Sequence, residues 1–316
     1  MRSGYLKTLE ELELFIKNAI EVQPTRLDLN FGGQISIIPD SIGDISSLEH
    51  LAIYEFPKSI KEIPASIGKL SNLKILHISD CRILEYLPES IGSLKNLEEL
   101  YIGDCFHLKE IPSSIGKLSN LRRLELQGGR SSLAGLEKLP DTIGQLTSLE
   151  DLKIRNTAIR SLPETIGNLS NLTCLEISCN EELHQLPNTL GKLKGLTSLI
   201  LEEGYLSSLP ESLSELQNLK YLNIKNNLLQ SLPESIGNLS QLKDLELNHN
   251  QLTRLPESIG NLTKLQFLEI INNQLTQLPE SIGNLSGLKS DINAYENPLA
   301  SLPVSVSKLP VKILRG

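Results

Sequence analysis

Five histidines and four cysteines are the side chains of this 316-residue chain best suited to chemistry. An imidazole can serve as a general base or a metal ligand, and a thiolate as a nucleophile or soft ligand. Their spacing argues against each use. His50, His77, His107, His184 and His249 lie 27 residues or more apart, so no two share one helix face as the histidines of H-E-x-x-H do. Cys81, Cys105, Cys174 and Cys179 contain no C-x-x-C pair and do not suggest a disulfide framework. No G-x-S-x-G elbow and no glycine-rich phosphate loop is present. Catalysis needs a nucleophile, a base and an orienting group at one point, and nothing here brings them there. The expectation is no enzyme, no catalytic residue, no metal and no cofactor.

The elements that would carry these side chains are set by a ruler. A Leu-Pro or Ile-Pro pair recurs with prolines at 39, 64, 88, 112, 140, 163, 187, 210, 233, 256, 279 and 303, at gaps of 23 to 28 residues. A period in the twenties over nearly the whole chain marks a solenoid, in which each coil touches only its neighbours. In the coil Leu242 to Gly260, Leu242, Leu245 and Leu247 alternate with polar residues, which is strand logic. Stacked copies would pair into a parallel sheet. Asn250 falls where the chain leaves the strand, and there its side chain can bond backbone groups in a ladder from coil to coil. Pro256 is expected to open a short helical turn at its first position. The glycine of the recurrent S-I-G is expected to close that turn by bending freely.

These residues resemble the leucine-rich repeat family. The pattern L-P-x-x-I-G-x-L-x-x-L-x-x-L-x-L-x-x-N-x-L, over about residues 25 to 314, is most similar to repeats of intracellular Ras-group, scaffold-type and bacterial proteins. The resemblance implies an α/β solenoid. It would be a gentle arc with a parallel β-sheet on the concave face, short helical or 3-10 turns on the convex face, and a protein partner bound on the concave face. Residues 1–24 are read as an N-terminal amphipathic capping helix, with Leu9, Leu12, Ile16 and Ile20 at helical spacing. Residues 25–316 are read as about 12 coils ending in a short edge strand near Val311 to Leu314. The stretch from Gln127 to Leu139 is read as an inserted loop. An extra residue between Leu288 and Pro303 is expected to make a local bulge. Cys81 and Cys105 take the asparagine slot of their coils.

Composition narrows the partners. A net charge of -8 and a pI near 5.3 argue against a general nucleic-acid binder, which needs a basic stripe. No apolar run approaches the roughly 20 residues of a membrane helix, and no signal peptide is read. A monomer in the cytoplasm, or in a host cytosol if delivered as an effector, is the expectation. The N-L-S and N-L-T triplets from Asn168 to Asn284 recur with the repeat and are not read as glycan acceptors.

The register allows the outward strand positions to be named. His50, Tyr54, His77 and Tyr101 should form an aromatic and histidine cluster. Arg123, Lys153 and Arg155 should lie among Glu99, Glu125, Asp151 and Glu176. Tyr221, Phe267 and Ile271 should form an apolar group. Aromatic and arginine side chains are the usual anchors of binding energy, so these residues are the candidate partner site. Two other readings stay open: the substrate-recognition part of a bacterial effector or ubiquitin-ligase-type protein whose catalytic segment lies outside this sequence, and a secreted or surface adhesion protein.

Overall fold

A computed structural model describes residues 1–31, 35–55, 60–129 and 135–315. The chain divides into two compact units, Met1–Ile159 and Arg160–Gly316. The first carries strands β1 (Arg2–Leu6), β2 (Arg26–Phe31), β3 (His50–Tyr54), β4 (Ile75–Ile78), β5 (Glu99–Gly103), β6 (Arg123–Gln127) and β7 (Asp151–Arg155), with one helix, α1 (Leu9–Val22). The second carries β8 (Cys174–Ser178), β9 (Ser198–Ile200), β10 (Tyr221–Asn223), β11 (Asp244–Glu246), β12 (Phe267–Glu269), β13 (Ile292–Asn293) and β14 (Ile313–Leu314). Within each unit the strands pair in parallel and in chain order. Between successive strands the chain makes a short 3-10 turn, such as Glu257–Asn261, and each unit is a solenoid built from strands on one side and 3-10 turns on the other.

The alternation read from sequence sets the core. Leu245 and Leu247 of one coil, and their counterparts Leu268 and Ile270, are all but fully buried. Ile259 and Leu262 of the 3-10 turn meet them from the opposite side and are equally buried. Each buried leucine or isoleucine contributes about 2 kcal/mol of transfer free energy, so stability is spread evenly along the stack.

The asparagine ladder forms. Asn250 Nδ2 donates to the carbonyls of Ile224 at 2.9 Å, Leu247 at 3.1 Å and Asn248 at 3.3 Å, while its Oδ1 accepts from Leu229 N at 3.1 Å. Asn227, Asn273 and Asn297 repeat this set. One amide thus satisfies four backbone groups belonging to two coils. The thiols of Cys81 and Cys105, in the same slot, donate within their own coil, to Ser79 O at 3.2 Å and Gly103 O at 3.3 Å. A second ladder was not foreseen. Asn72, Asn96, Asn120 and Asn218 each donate to a carbonyl of the preceding coil, at 2.8 to 2.9 Å. Its signal is the asparagine recurring just before the first leucine of the repeat.

Two expectations about the turn need correction. Pro256 is not the first helical residue. It stands at the N-cap, extended at φ -69° and ψ 151°, and its carbonyl accepts from Ile259 N at 3.0 Å. The glycine does not serve to bend the chain either, because none of the S-I-G glycines has a positive φ. What it permits is close approach. A Cβ on Gly260 would lie 2.3 Å from Ser281 O of the next coil, and one on Gly237 would lie 2.1 Å from Ser258 O. The two coils with serine at this position bear this out. Ser307 lies in Val304–Lys308, and among the described residues no later 3-10 turn stacks on it. Beyond Ser214 the following turn is shortened to Ile236–Asn238, with Ser235 drawn out of it at ψ 0°.

Left-handed backbone recurs one residue before the ladder slot, at Asp80, Asp104, Asn156, Cys179, Glu203, Asn226, His249, Asn272 and Glu296. Asparagine tolerates this conformation better than glutamate. Glu296→Asn is therefore expected to stabilise the protein by about 0.5 kcal/mol, read as a rise in Tm. A fall in Tm would contradict the strain argument.

The N-terminus holds a strand not read from sequence. β1 pairs with β2, and Ser3 Oγ accepts from Asn30 N at 2.8 Å. Residues 2–6 lack clean alternation, so no period marks them. α1 follows, with Thr8 and Glu11 forming a capping box and Leu12, Ile16 and Ala19 buried. It packs on β1 and on the Asp40–Asp44 turn. The extra residue near the C-terminus is absorbed before β13: Leu245 pairs 23 positions on with Leu268, but Glu269 pairs 24 on with Asn293. Of the Gln127 to Leu139 insertion, residues 130–134 lie outside the described residues. Gly135 has φ 108°, and Leu136 and Leu139 return to the core.

Candidate interaction surface

On a parallel sheet the register decides which side chains become neighbours, and here it sets the site. In the first unit His50 lies beside Ile75, Ala52 beside His77, and His77 beside Tyr101. Of the four residues of the expected cluster, Tyr54, His77 and Tyr101 come together. The His77 ring sits between Tyr54, with centroids 5.1 Å apart, and Tyr101, at 4.2 Å. The rings lean over small residues. Ala52 and Ser79 are buried beneath them, and a Cβ on Gly103 would meet the Tyr101 hydroxyl at 2.5 Å. Tyr101 OH in turn donates to Gln127 Oε1 at 3.2 Å. Burial, then the Arg26 charge, holds the His50 imidazole below its usual range; burial, then His50, does the same for His77. Both favour the uncharged ring.

The cluster extends one strand further than sequence reading took it. Asp28 on β2 shares a column with Ala52 and His77, and is ion-paired to Arg2 at 2.9 Å and Arg26 at 3.1 Å. The column signal was available in Leu27-Asp28-Leu29, but β1, which supplies Arg2, was not.

The middle zone is a set of ion pairs. Arg123 meets Glu99 at 2.6 Å, Arg155 meets Glu125 at 2.8 Å, and Lys153 meets Asp151 at 3.2 Å. Exposed pairs of this kind add about 0 to 1 kcal/mol each. Their effect is to present a matched, nearly neutral surface. Glu176 on β8 departs from expectation: it is buried, its Oε1 accepting from Ser178 Oγ at 2.9 Å. Cys174 is half-buried on the same strand.

The expected apolar group in the second unit does not assemble. Tyr221 and Phe267 are separated by β11, whose Asp244 pairs with both in register. Tyr221 OH instead donates to Glu246 Oε1 at 2.7 Å; burial and that bond push its hydroxyl up to about 12. Phe267 is 42% exposed and Ile271 half-buried. Tyr295, 44% exposed two residues beyond Asn293, belongs to this face and was missed, because the extra residue before β13 breaks the ruler that would have placed it.

Cys81 and Cys179 are held in the protonated thiol form. Burial drives the Cys81 thiol far up, and burial with the Glu203 carboxylate pushes Cys179 up to about 12. Among the described residues no group of three or more acidic, histidine or cysteine side chains could hold a metal ion, and no helix is long and apolar enough to cross a membrane.

A family model described as a leucine-rich repeat region matches residues 26–134, 113–224 and 208–309. No curated protein matches the chain. Among solved structures, the chain is similar to the leucine-rich repeat domain of the type III effector XopL, at 32% identity and a TM-score of 0.57, over 65% of this chain and 72% of that one. It is similar to a TDR receptor at 28% identity and a TM-score of 0.67, over 99% of this chain and 59% of that one. An internalin of Listeria monocytogenes shares the fold, at 20% identity and a TM-score of 0.69, over 100% of this chain and 86% of that one. With its coils, its buried asparagine ladder and a repeat model matching nearly end to end, this chain belongs to the leucine-rich repeat family.

Proposed function

We propose that the chain is a non-enzymatic interaction module that holds another protein on the exposed face of its sheet. The supporting observation is the Tyr54–His77–Tyr101 ring stack, set beside the matched ion pairs of Arg123 and Arg155. Aromatic side chains already seated on small residues lose little entropy on binding, and arginines beside them add directional contacts. Alanine at Tyr54, Tyr101, Arg123 and Arg155 is expected to weaken a partner captured from the native source by about a hundredfold, with the melting curve unchanged. Undiminished affinity would overturn the reading.

A second reading, the substrate-recognition part of a larger effector, draws support from the 32% identity to the XopL repeat domain. The test is the gene's full extent: a catalytic segment joined to these repeats would favour it, and a gene ending with them would remove it.

A further inference from the structure

The exposed faces of the two units are charged differently. In the first, the outward acids are matched: Asp28 by Arg2 and Arg26, Glu99 by Arg123, Glu125 by Arg155, and Asp151 by Lys153. In the second, β11 presents Asp244 and Glu246 and β12 presents Glu269, and among the described residues none of the three has an ion-pair partner. Lys225, on this part of the face, is held by Glu202 at 2.9 Å, while Lys243 and Lys289 act on Asp244 without an ion pair to it among the described residues. Register sets Asp244 beside Phe267 and Glu246 beside Glu269, so the strands carrying Glu246 and Glu269 run about 5 Å apart. Set among them are Phe267 and Tyr295, both more than two-fifths exposed, and Ile271. We propose that this face, from β10 to β13, docks a lysine- or arginine-rich protein segment that also carries apolar side chains. The inference rests on the protein-binding reading above and names the chemistry of the partner.

Three considerations favour that occupant. A neutral or acidic partner would bury these carboxylates without compensation, at a cost that grows as water is excluded. A cationic one supplies the missing countercharge and is steered to the face before contact. The apolar side chains explain why simple inorganic cations are a poor fit, since Phe267 and Tyr295 gain only from apolar cover. The carboxylates already disfavour one another: burial and the Glu246 charge hold the Asp244 and Glu269 carboxyls above their usual range, against the Lys243 and Lys289 charges that ease Asp244 and a hydrogen bond from Asn248 that eases Glu269.

The test uses the whole chain and a synthetic peptide of alternating lysine and leucine, titrated calorimetrically. Two triple variants remove the same number of charges: D244N/E246Q/E269Q in the second unit and E99Q/E125Q/D151N in the first. The expected result is at least about a tenfold loss of affinity for the former and less than about twofold for the latter. F267A should weaken binding by about fivefold, and amide exchange should protect β11 and β12. Because the second-unit triple relieves repulsion, its melting temperature should not fall; if it does, E269Q alone serves in its place. Equal losses in the two triples would mean that only net charge matters and would overturn the proposal. So would no binding, or equal binding of a peptide with serine in place of lysine. Failure of the broader reading is distinguishable, since that rests on first-unit residues and on the native partner.

Discussion

Asn250→Ala is expected to destabilise the second unit by about 3 kcal/mol, measured by urea unfolding. The Asn250 amide serves Leu229 N of the preceding coil and carbonyls of two coils, and all of these groups lie inside the stack. Its removal strands at least one buried donor and one buried acceptor at once, each costing about 1 to 3 kcal/mol. Asn250→Cys should fall between wild type and alanine, because Cys81 and Cys105 show that a thiol in this slot keeps a bond within its own coil, while one thiol cannot replace all four bonds of the amide. A loss below about 1 kcal/mol for alanine would mean that water replaces the amide and that the ladder contributes little.

The second large effect is expected from Gly260→Val, at about 3 kcal/mol. A Cβ there would stand 2.3 Å from Ser281 O and 2.6 Å from Ser281 Cβ, a contact that only backbone movement can relieve. Interiors packed at crystal density have little room for such movement. Ser307→Gly should change stability by less than about 0.5 kcal/mol, because among the described residues no further turn crowds that position. Thermal unfolding of the two variants side by side decides the matter. If both are mild, the glycine serves local bending after all, and the coil-to-coil contact is not what selects it.

The sheet and the aliphatic core could be read from the chain alone. Their cause is a period, and a period survives without knowledge of any long-range contact: each Leu-x-Leu repeats its local logic regardless of its neighbours. The Asn250 slot and the outward columns follow from the same ruler, which is why Tyr54, His77 and Tyr101 could be placed together. Where the ruler slips, legibility ends. β1 has no repeat to match, and Tyr295 lies beyond the extra residue before β13. Tertiary structure alone decided which outward positions are open, and which carboxylates are answered. Glu176 reads as exposed yet is buried beside Ser178, and Asp244 divides Tyr221 from Phe267. It also decided that glycine follows Ser-Ile for the sake of the next coil's serine and not for its own dihedral angles. The physical reason is common to all of these. Periodicity reports which way a side chain points, while exposure, ion pairing and close approach depend on side chains some two dozen residues away, brought alongside only when coils stack.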